Sequence, residues 1–353
     1  MEAASVPATT AAASRQRLRE IVGKYGLIAL LLALPVGFAI HDLVVYGDLV
    51  RLGENLVAGL SNGAIWALVA IGYTLVYGIV ELINFAHGEV FMIGSFSAAS
   101  FFTTIGLTAA TGTVGLVLGL ALTLVMAMLA SGTLNVMIER VAYRPLRNAP
   151  KLAPLITAVG FSFILQNVGL LWKSGSPQGI PDLINSQHEV FAIFGVTISN
   201  GDVLAIGVTV PLLFAMTTFI TRSRLGKAMR ATAQDPEAAR LMGINVDTTI
   251  SLTFLIGGML AGAGGLIYAL YQTTIWYFQG FTAGLVAFTA AVMGGIGNVR
   301  GAVLGGIIIG TIQQISDNRI KPEWTPAIVF VYLVLIMVFK PSGLLGEQTR
   351  DAG

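Results

Sequence analysis

Long runs of apolar residues, separated by short polar segments, fill most of this 353-residue chain. A helix that crosses about 30 Å of hydrocarbon needs about 20 mainly apolar residues. On that basis we predict ten spans, at residues 26–46, 55–80, 85–106, 112–138, 152–172, 202–221, 249–271, 281–297, 300–316 and 324–340. The pattern therefore predicts an all-α protein, a polytopic transmembrane helical bundle, whose membrane domain covers residues 25–340.

Two of these spans are short, and they leave the number of crossings open. Between Thr249 and Ser316 the only charged residue is Arg300, which separates two glycine-rich apolar segments. Such a stretch also fits a helical hairpin that does not cross the whole membrane. The sequence thus predicts ten spans, with eight as the alternative.

The composition agrees with a membrane protein and excludes several kinds of site. Hydrophobic residues make up 55% of the chain and charged residues 11%, against about 25% charged in soluble domains. The 42 glycines, some in pairs such as Gly301 and Gly305, predict closely packed helices. Without cysteine there is no disulfide and no Cys-ligated metal, and we expect no metal site, cofactor or catalytic residue. A net charge of +2 does not favour a nucleic-acid partner.

The distribution of basic residues predicts the orientation. Alternating the loops between the two sides leaves four of the 20 Lys and Arg residues on one side, namely Arg51, Lys173, Arg319 and Lys321. The other 16 lie on the opposite side, which the excess of basic residues marks as cytoplasmic. We therefore predict a bacterial cytoplasmic (inner) membrane protein with both termini inside, including tails at residues 1–24 and 341–353. Five spans in each half also predict inverted repeats.

The N-terminal region resembles a signal peptide in part. Four basic residues between Arg15 and Lys24 precede an apolar run. However, a polar tail comes first, and His41 and Asp42 follow the run where a cleavage site of small residues would be expected. We favour a retained first span over a cleaved signal.

The loop at residues 222–248 contains a short helix with well-defined ends. Asp235 can cap the free N–H groups, Pro236 suits the first helical position, and Glu237 complements the positive end. Gly243 allows a left-handed C-terminal turn. We expect Ala238, Ala239, Leu241 and Met242 to face outward, as a small and apolar surface suited to a groove on a partner. A linker helix resting on the headgroups is the alternative.

The spacing Glu237-Ala238-Ala239-x-x-x-Gly243 resembles the EAA loop through which ABC importer permeases dock on their ATPase. Three other segments narrow the family, namely the runs Asn55 to Gly63, Leu82 to Glu89 and Phe288 to Gly306. The end of the chain, Pro341 to Gly346, fits as well. Together these motifs resemble the branched-chain amino acid permeases of the LivH type, over roughly residues 50 to 346.

The resemblance implies a type II ABC importer with several subunits. Its expected partners are a second homologous permease subunit, two ATP-binding cassette ATPase subunits, an extracytoplasmic solute-binding protein and membrane lipid. The expected cargo is leucine, isoleucine or valine, and permeases for urea or short amides are the alternative within the same class. This chain would not be an enzyme, because ATP and Mg²⁺ would bind to the partner ATPases, and no Gly-x-x-x-x-Gly-Lys-Ser/Thr motif is present.

Polar residues within or near the spans are candidates for the transport pathway. Asn84, His87 and Glu89 lie where the third span begins; proton coupling is one reading, and an interfacial turn bent at Gly88 is the favoured one. The uncharged candidates, which line a pathway or tie helices together, are Ser61, Asn62, Tyr73, Thr74, Gln166 and Asn167. Because the spans lack a paired carboxylate, we expect a passage without fixed charges.

The long loop at residues 173–200, on the side opposite the basic loops, is a candidate for binding-protein docking. Its apolar part, Val190 to Ile198, fits equally well as an amphipathic element on the headgroups. Arg51, Lys173, Arg319 and Lys321 are predicted contacts for acidic residues of the binding protein. The competing functions are an ion-coupled secondary transporter of small neutral solutes, which would need an ion site, and a membrane scaffold.

Overall fold

The computed structural model describes residues 10–147, 149–150 and 152–346. Within them the chain forms helices and two small antiparallel sheets, which pair β1 with β4 and β2 with β3. The helices are α1 (Thr10–Val45), α2 (Val50–Val80), α3 (His87–Thr104), α4 (Thr113–Ile138), α5 (Leu152–Lys173), α6 (Asn200–Arg222), α7 (Arg224–Gln234), α8 (Pro236–Leu241), α9 (Val246–Gln272), α10 (Gln279–Gly294), α11 (Val299–Arg319) and α12 (Thr325–Phe339). The strands are β1 (Gln178–Gly179), β2 (Glu189–Ile193), β3 (Val196–Ser199) and β4 (Thr274–Ile275).

Each predicted span corresponds to one of these helices, which confirms the helical membrane bundle. In the described part of the chain, seven helices are long and apolar enough to cross a membrane, and α10 and residues 31–45 of α1 form shorter apolar helices. Helix α1 begins at Thr10, well before the predicted start of the first span. Helix α7 and a π-helical turn at Glu139–Tyr143 are additions that the apolar pattern did not indicate.

The packing of the helices follows an inverted repeat. The first repeat is α1 to α5, and the second is α6 with α9 to α12. The equivalent helices of the two repeats are α2 and α9, α3 and α10, and α4 and α11. The contact of α2 with α11 matches that of α9 with α4, and the contact of α3 with α9 matches that of α10 with α2. The contacts of α3 with α4 and α5 likewise match those of α10 with α11 and α12. Exchanging the two halves thus maps most major helix contacts onto one another, in agreement with the predicted repeats.

Local geometry repeats in the same way. Helices α2 and α9 both end on a non-glycine residue in the left-handed conformation, Glu81 with φ 53° and Thr273 with φ 52°. The following turns also match, because His87 N–H donates to the Asn84 carbonyl and Gln279 N–H donates to the Trp276 carbonyl. In both turns the left-handed residue, the residue with the accepting carbonyl and the residue with the donating N–H follow one another at intervals of three residues. These matched turns bring the chain into α3 and α10 in equivalent ways.

Glycines permit the close crossings between the repeats. In the pair of α2 and α11, the backbone of Gly310 lies against that of Gly63, where a Cβ at either position would collide with the other helix. Side-chain bonds continue this contact: Asn62 Nδ2 donates to Gln314 Oε1 (2.7 Å) and Trp66 Nε1 donates to Gln313 Oε1 (2.7 Å). Small residues at such crossings allow the close backbone packing that substitutes for the hydrophobic effect in lipid.

The connecting segments form two faces. One face, here called the α7–α8 face, carries residues 224–241 and the segment 139–147. The C-terminal segment lies on the same face, where Leu344 N–H donates to the Met293 carbonyl. The opposite face, here called the hairpin face, carries the β2–β3 hairpin and the β1–β4 pair. Phe194 and Gly195 form the hairpin turn with positive φ values. The loops therefore divide between two faces as the sequence predicted.

Candidate functional site

Helix α8 lies on the α7–α8 face and has the ends that the sequence predicted. Asp235 has extended backbone angles, and its carboxylate accepts hydrogen bonds from the N–H groups of Glu237 and Ala238, both at 2.9 Å. Pro236 occupies the first helical position, and Gly243 has a φ of +83°. The Asp235 cap, with its two hydrogen bonds, and the left-handed turn at Gly243 define the two ends of this short helix.

The surface of α8 differs from the prediction at one residue. Ala239 is buried, with 3% exposure, and packs inward. Ala238 is exposed, and Leu241 and Met242 are 89% and 82% exposed. The exposed apolar surface at the end of α8 is therefore formed by Leu241 and Met242, whereas Ala239 packs the helix against the bundle.

A cleft of about 430 Å³ lies beside the start of α9 on the same face. Its lining includes Arg140 and Arg144, and Arg144 forms an ion pair with Asp247 at 3.0 Å. Arg147 pairs with both Asp247 and the buried Glu139. This face thus carries both the exposed apolar residues Leu241 and Met242 and a cleft lined by charged residues. The sequence did not predict the cleft, because its walls come from segments about 100 residues apart.

The N-termini of α3 and α10 meet inside the bundle. A Cβ on Gly88 would collide with the Gly280 carbonyl and with the backbone of Gly284. A Cβ on Gly280 would collide with the Glu89 carboxyl group. We call this contact of Gly88, Glu89, Gln279 and Gly280 the helix junction. Gly88 therefore allows the two helices to approach closely. The sequence had instead predicted that Gly88 bends an interfacial turn.

His87 and Glu89 are buried, which corrects the expectation of an interfacial position. Both are 0% exposed. The His87 ring lies against Gly72, eight residues or about 12 Å before the end of α2, and contacts the Tyr73 ring at 4.8 Å between centroids. Glu89 Oε1 accepts a hydrogen bond from Ser162 Oγ (3.3 Å), halfway along α5. The helix junction therefore lies deep in the bundle.

Asn84 belongs to a different network. Its Nδ2 donates to Asn135 Oδ1 (3.2 Å), and its Oδ1 accepts from the Tyr143 hydroxyl (3.3 Å). Asn135 in turn donates to the Phe254 carbonyl (2.6 Å). These bonds tie the turn after α2 to α4 and α9, so Asn84 has the helix-tying role that the sequence left open.

Four carboxyl groups are buried among the described helices, so the expectation of spans without buried ionic groups is wrong. Asp42 on α1 pairs with Arg319 on α11, and Asp202 on α6 accepts from Ser61 (2.7 Å) and Tyr271 (3.1 Å). Glu139 pairs with Arg147 and accepts from Ser251 (2.7 Å). Glu89 is the fourth. Each of the four also has a partner from a distant segment, which an inspection of single spans cannot reveal.

The remaining polar candidates divide between packing and exposed positions. Ser61 and Asn62 are buried and bonded to α6 and α11, and Thr74 is buried as well. Gln166 is half-buried on α5, whereas Asn167 is exposed and donates to the Phe163 carbonyl (2.8 Å). Ser61 and Asn62 tie helices together, whereas no hydrogen-bond partner is found for the Thr74 hydroxyl among the described residues. Gln166 and Asn167 place polar groups on the surface of the otherwise apolar helix α5.

The four basic residues assigned to docking are not equivalent. The Arg319 side chain is only 11% exposed and forms an ion pair with Asp42 within the chain, unlike the other three residues. Arg51 stacks on the Tyr46 ring (4.0 Å), Lys173 lies 5.8 Å from the Trp172 ring, and Lys321 is exposed. Arg51, Lys173 and Lys321 therefore remain available on the hairpin face.

The fold and its exposed, capped surface helix define a class of protein, a multi-pass membrane permease built from inverted repeats. The family model for the permease component of branched-chain amino acid transport systems matches residues 55–338. The chain therefore belongs to this family, and the resemblance found in its motifs is confirmed.

Several curated relatives support this assignment. The chain is 41% identical to the high-affinity branched-chain amino acid transport system permease protein BraD of Pseudomonas aeruginosa, over 83% of the chain and 95% of the relative. It is 40% identical to LivH of Escherichia coli K12 over the same shares. A probable branched-chain amino acid permease of Methanocaldococcus jannaschii is 26% identical over 85% and 95%. No solved structure matches the chain.

Proposed function

We propose that this chain is the membrane-spanning permease subunit of an ABC importer for leucine, isoleucine and valine. Family membership over residues 55–338 carries the proposal. The relatives whose names specify high-affinity branched-chain amino acid transport align over almost their whole length. A secondary transporter is less well supported, because the exposed apolar pair on α8 would have no partner to cover it.

The proposed assembly contains a second homologous permease, two ATPase subunits and an extracytoplasmic binding protein. ATP and Mg²⁺ bind to the ATPases, and α8 transmits their closure to the bundle as a rigid-body movement. Nucleotide acts by stabilising one of two conformations of the assembly. The α7–α8 face is cytoplasmic in this proposal, because it carries most of the basic residues, and the membrane is the bacterial inner membrane.

Copurification and uptake test this function together. The tagged chain, extracted from native membranes, should bring down two ATPase subunits and a second permease. Reconstituted with the binding protein and ATP, the complex should import leucine, isoleucine and valine, and excess urea or acetamide should not compete. ATP-independent uptake driven by an ion gradient would refute the importer proposal, whereas competition by urea would redirect it to the permeases of amides.

We further propose that Arg51, Lys173 and Lys321 contact acidic residues of the binding protein. The variant Arg51→Glu/Lys173→Glu/Lys321→Glu should lower the stimulation of ATP hydrolysis by the binding protein about 10-fold or more at low salt, since rim charges mainly set the association rate. Basal ATP hydrolysis should not change. Stimulation equal to that of the unchanged complex, measured across a binding-protein titration, would remove these residues from the docking surface.

A further inference from the structure

The cleft on the α7–α8 face is a groove between α4 and α9. Its α4 side contains Val136 and, in the turns that continue this helix, Arg140 and Arg144, while its α9 side contains Thr248 and Leu255. Residues spaced by four or seven lie on one side of a helix, so each wall follows its helix lengthwise. Seven residues of α9 span about 10 Å, and the volume of about 430 Å³ is usual for a ligand site. The cleft therefore has room for an extended molecule that lies parallel to the two helices.

The two ends of the cleft differ in chemistry. The end at the protein surface carries the two arginine side chains. Toward the middle of the bundle the walls are formed by Val136, Leu252 and Leu255, beside Thr133 and Ser251. A ligand that fills the cleft therefore needs a group that binds guanidinium at one end and an apolar part at the other.

One positive charge at the surface end of the cleft has no counterion among the described residues. Asp247 accepts from Arg144 (3.0 Å) and also pairs with Arg147, which in turn pairs with the buried Glu139. Two of the three arginines thus occupy both carboxylates. Arg140 is exposed and makes no hydrogen bond or ion pair with a described residue. The surface end therefore has a net positive charge, and the N–H groups of Arg140 are free to donate to an anion.

The apolar surface around Arg140 places this end of the cleft at the boundary of the membrane. Met137 and Val141, which flank Arg140 in the sequence, are both exposed, and they continue an exposed apolar surface of α4 that includes Val125 and Leu129. An arginine at the end of such a surface lays its stem on apolar groups and reaches the headgroup layer with its guanidinium. The arginines are therefore at the level of lipid phosphates, and the apolar walls of the cleft are at the level of the acyl chains.

A phospholipid uses the whole cleft, whereas smaller anions do not. Inorganic phosphate, or an acidic side chain of a partner subunit, would bind the arginines and leave the apolar walls uncovered. A phospholipid places its phosphate at the arginines and the first part of an acyl chain along Val136, Leu252 and Leu255. Basic pockets between membrane helices favour anionic headgroups in particular. The charge and the shape of the cleft thus favour the same ligand.

We propose that the cleft between α4 and α9 binds an anionic phospholipid, with its phosphate on Arg140 and Arg144 and an acyl chain along the apolar walls. The inference uses the membrane location of the chain, and neither the cargo nor the ATPases of the proposed function. Residues 242–245 join α8 directly to α9, so the lipid binds at the start of the helix that follows α8. Because the unfolded chain lacks this cleft, bound lipid should raise the unfolding temperature.

Native mass spectrometry of the full-length protein, delipidated in a neutral detergent and titrated with dioctanoyl phosphatidylglycerol, tests the site. Arg140→Gln/Arg144→Gln should weaken binding of the first lipid about 10-fold or more. Arg140→Gln alone should weaken it in the same direction, and it removes no bond between described residues. Arg222→Gln/Arg224→Gln, which removes two charges from exposed positions outside the cleft, should bind lipid as the unchanged protein does.

Two comparisons identify the ligand. Val136→Trp fills the apolar part of the cleft without changing its charge, and it should also weaken the binding of phosphatidylglycerol. In the unchanged protein, phosphatidylglycerol should raise the unfolding temperature, whereas an equal concentration of inorganic phosphate should not. Dioctanoyl phosphatidylcholine, which has the same chains and no net charge, should bind more weakly.

The outcomes separate a lipid site from its alternatives. Equal lipid binding by Arg140→Gln/Arg144→Gln and by the unchanged protein would refute the inference, as would equal stabilisation by inorganic phosphate. Loss of a copurifying ATPase in this double variant, with lipid binding unchanged, would assign the arginines to a protein interface instead. A complex that binds phosphatidylglycerol as expected and imports no leucine would refute the proposed function and leave the lipid site in place.

Discussion

Replacing Leu241 and Met242 together by Asp should separate the permease from the proposed ATPase subunit. These residues are 89% and 82% exposed at the end of a short helix outside the spans, and adjacent large apolar side chains at a surface are typical of an interaction site. Burying each contributes about 1.5–3 kcal/mol, so losing both and introducing charge should weaken docking about 100-fold or more. The measurement is the amount of ATPase that copurifies, together with ATP-dependent leucine uptake.

Phe194→Asp provides the matched control, because Phe194 is 98% exposed but lies on the hairpin face. That variant should copurify the ATPase as the unchanged protein does. Since Leu241 and Met242 make little contact within the chain, the double variant should keep the thermal stability of the isolated permease. An ATPase that copurifies normally with the double variant would exclude α8 as the docking helix.

The largest effect on stability is expected from Gly88→Ala. The new Cβ would meet the Gly280 carbonyl and the Gly284 backbone, and neither can move away as a flexible side chain would. Overpacking of a tight core contact costs about 1–3 kcal/mol, and here the strain falls on the contact that joins the two repeats. We expect a lower unfolding temperature in detergent and little assembled complex.

Gly160→Ala on α5 is the control, because no atom lies within 4 Å of the Cβ position at Gly160. The change at that position should leave the unfolding temperature unchanged or raise it slightly, since alanine has the higher helix propensity. If Gly88→Ala matched Gly160→Ala in both stability and assembly, the close approach of α3 and α10 would be wrong.

The positions of the apolar helices and the ends of α8 could be predicted because they depend on local rules. Twenty apolar residues can satisfy their backbone in lipid only by forming a helix or a closed barrel. At Asp235, Pro236 and Gly243 the side chain or ring acts on the nearest turns of the same segment. Such interactions do not depend on where the rest of the chain lies.

The surface of α8 was predicted only in part for a related reason. Ala239 and Leu241 are both apolar, and the sequence gives no direction for the bundle relative to the helix. Only the packing of α8 on its neighbours places Ala239 inward and Leu241 outward. Arg319 shows the same limit, because its burial depends on Asp42, which is 277 residues away.

The sequence by itself determined that the chain is a helical membrane protein, which segments form its apolar helices, where α8 begins and ends, and which family it resembles. Only the tertiary structure decided that His87 and Glu89 are buried, that α3 and α10 meet at Gly88 and Gly280, and which carboxyl groups are paired. The physical reason is the distance along the chain over which each interaction acts. Hydrophobic length and helix capping act within a few turns, whereas a buried charge or a glycine crossing is defined by atoms from the other repeat.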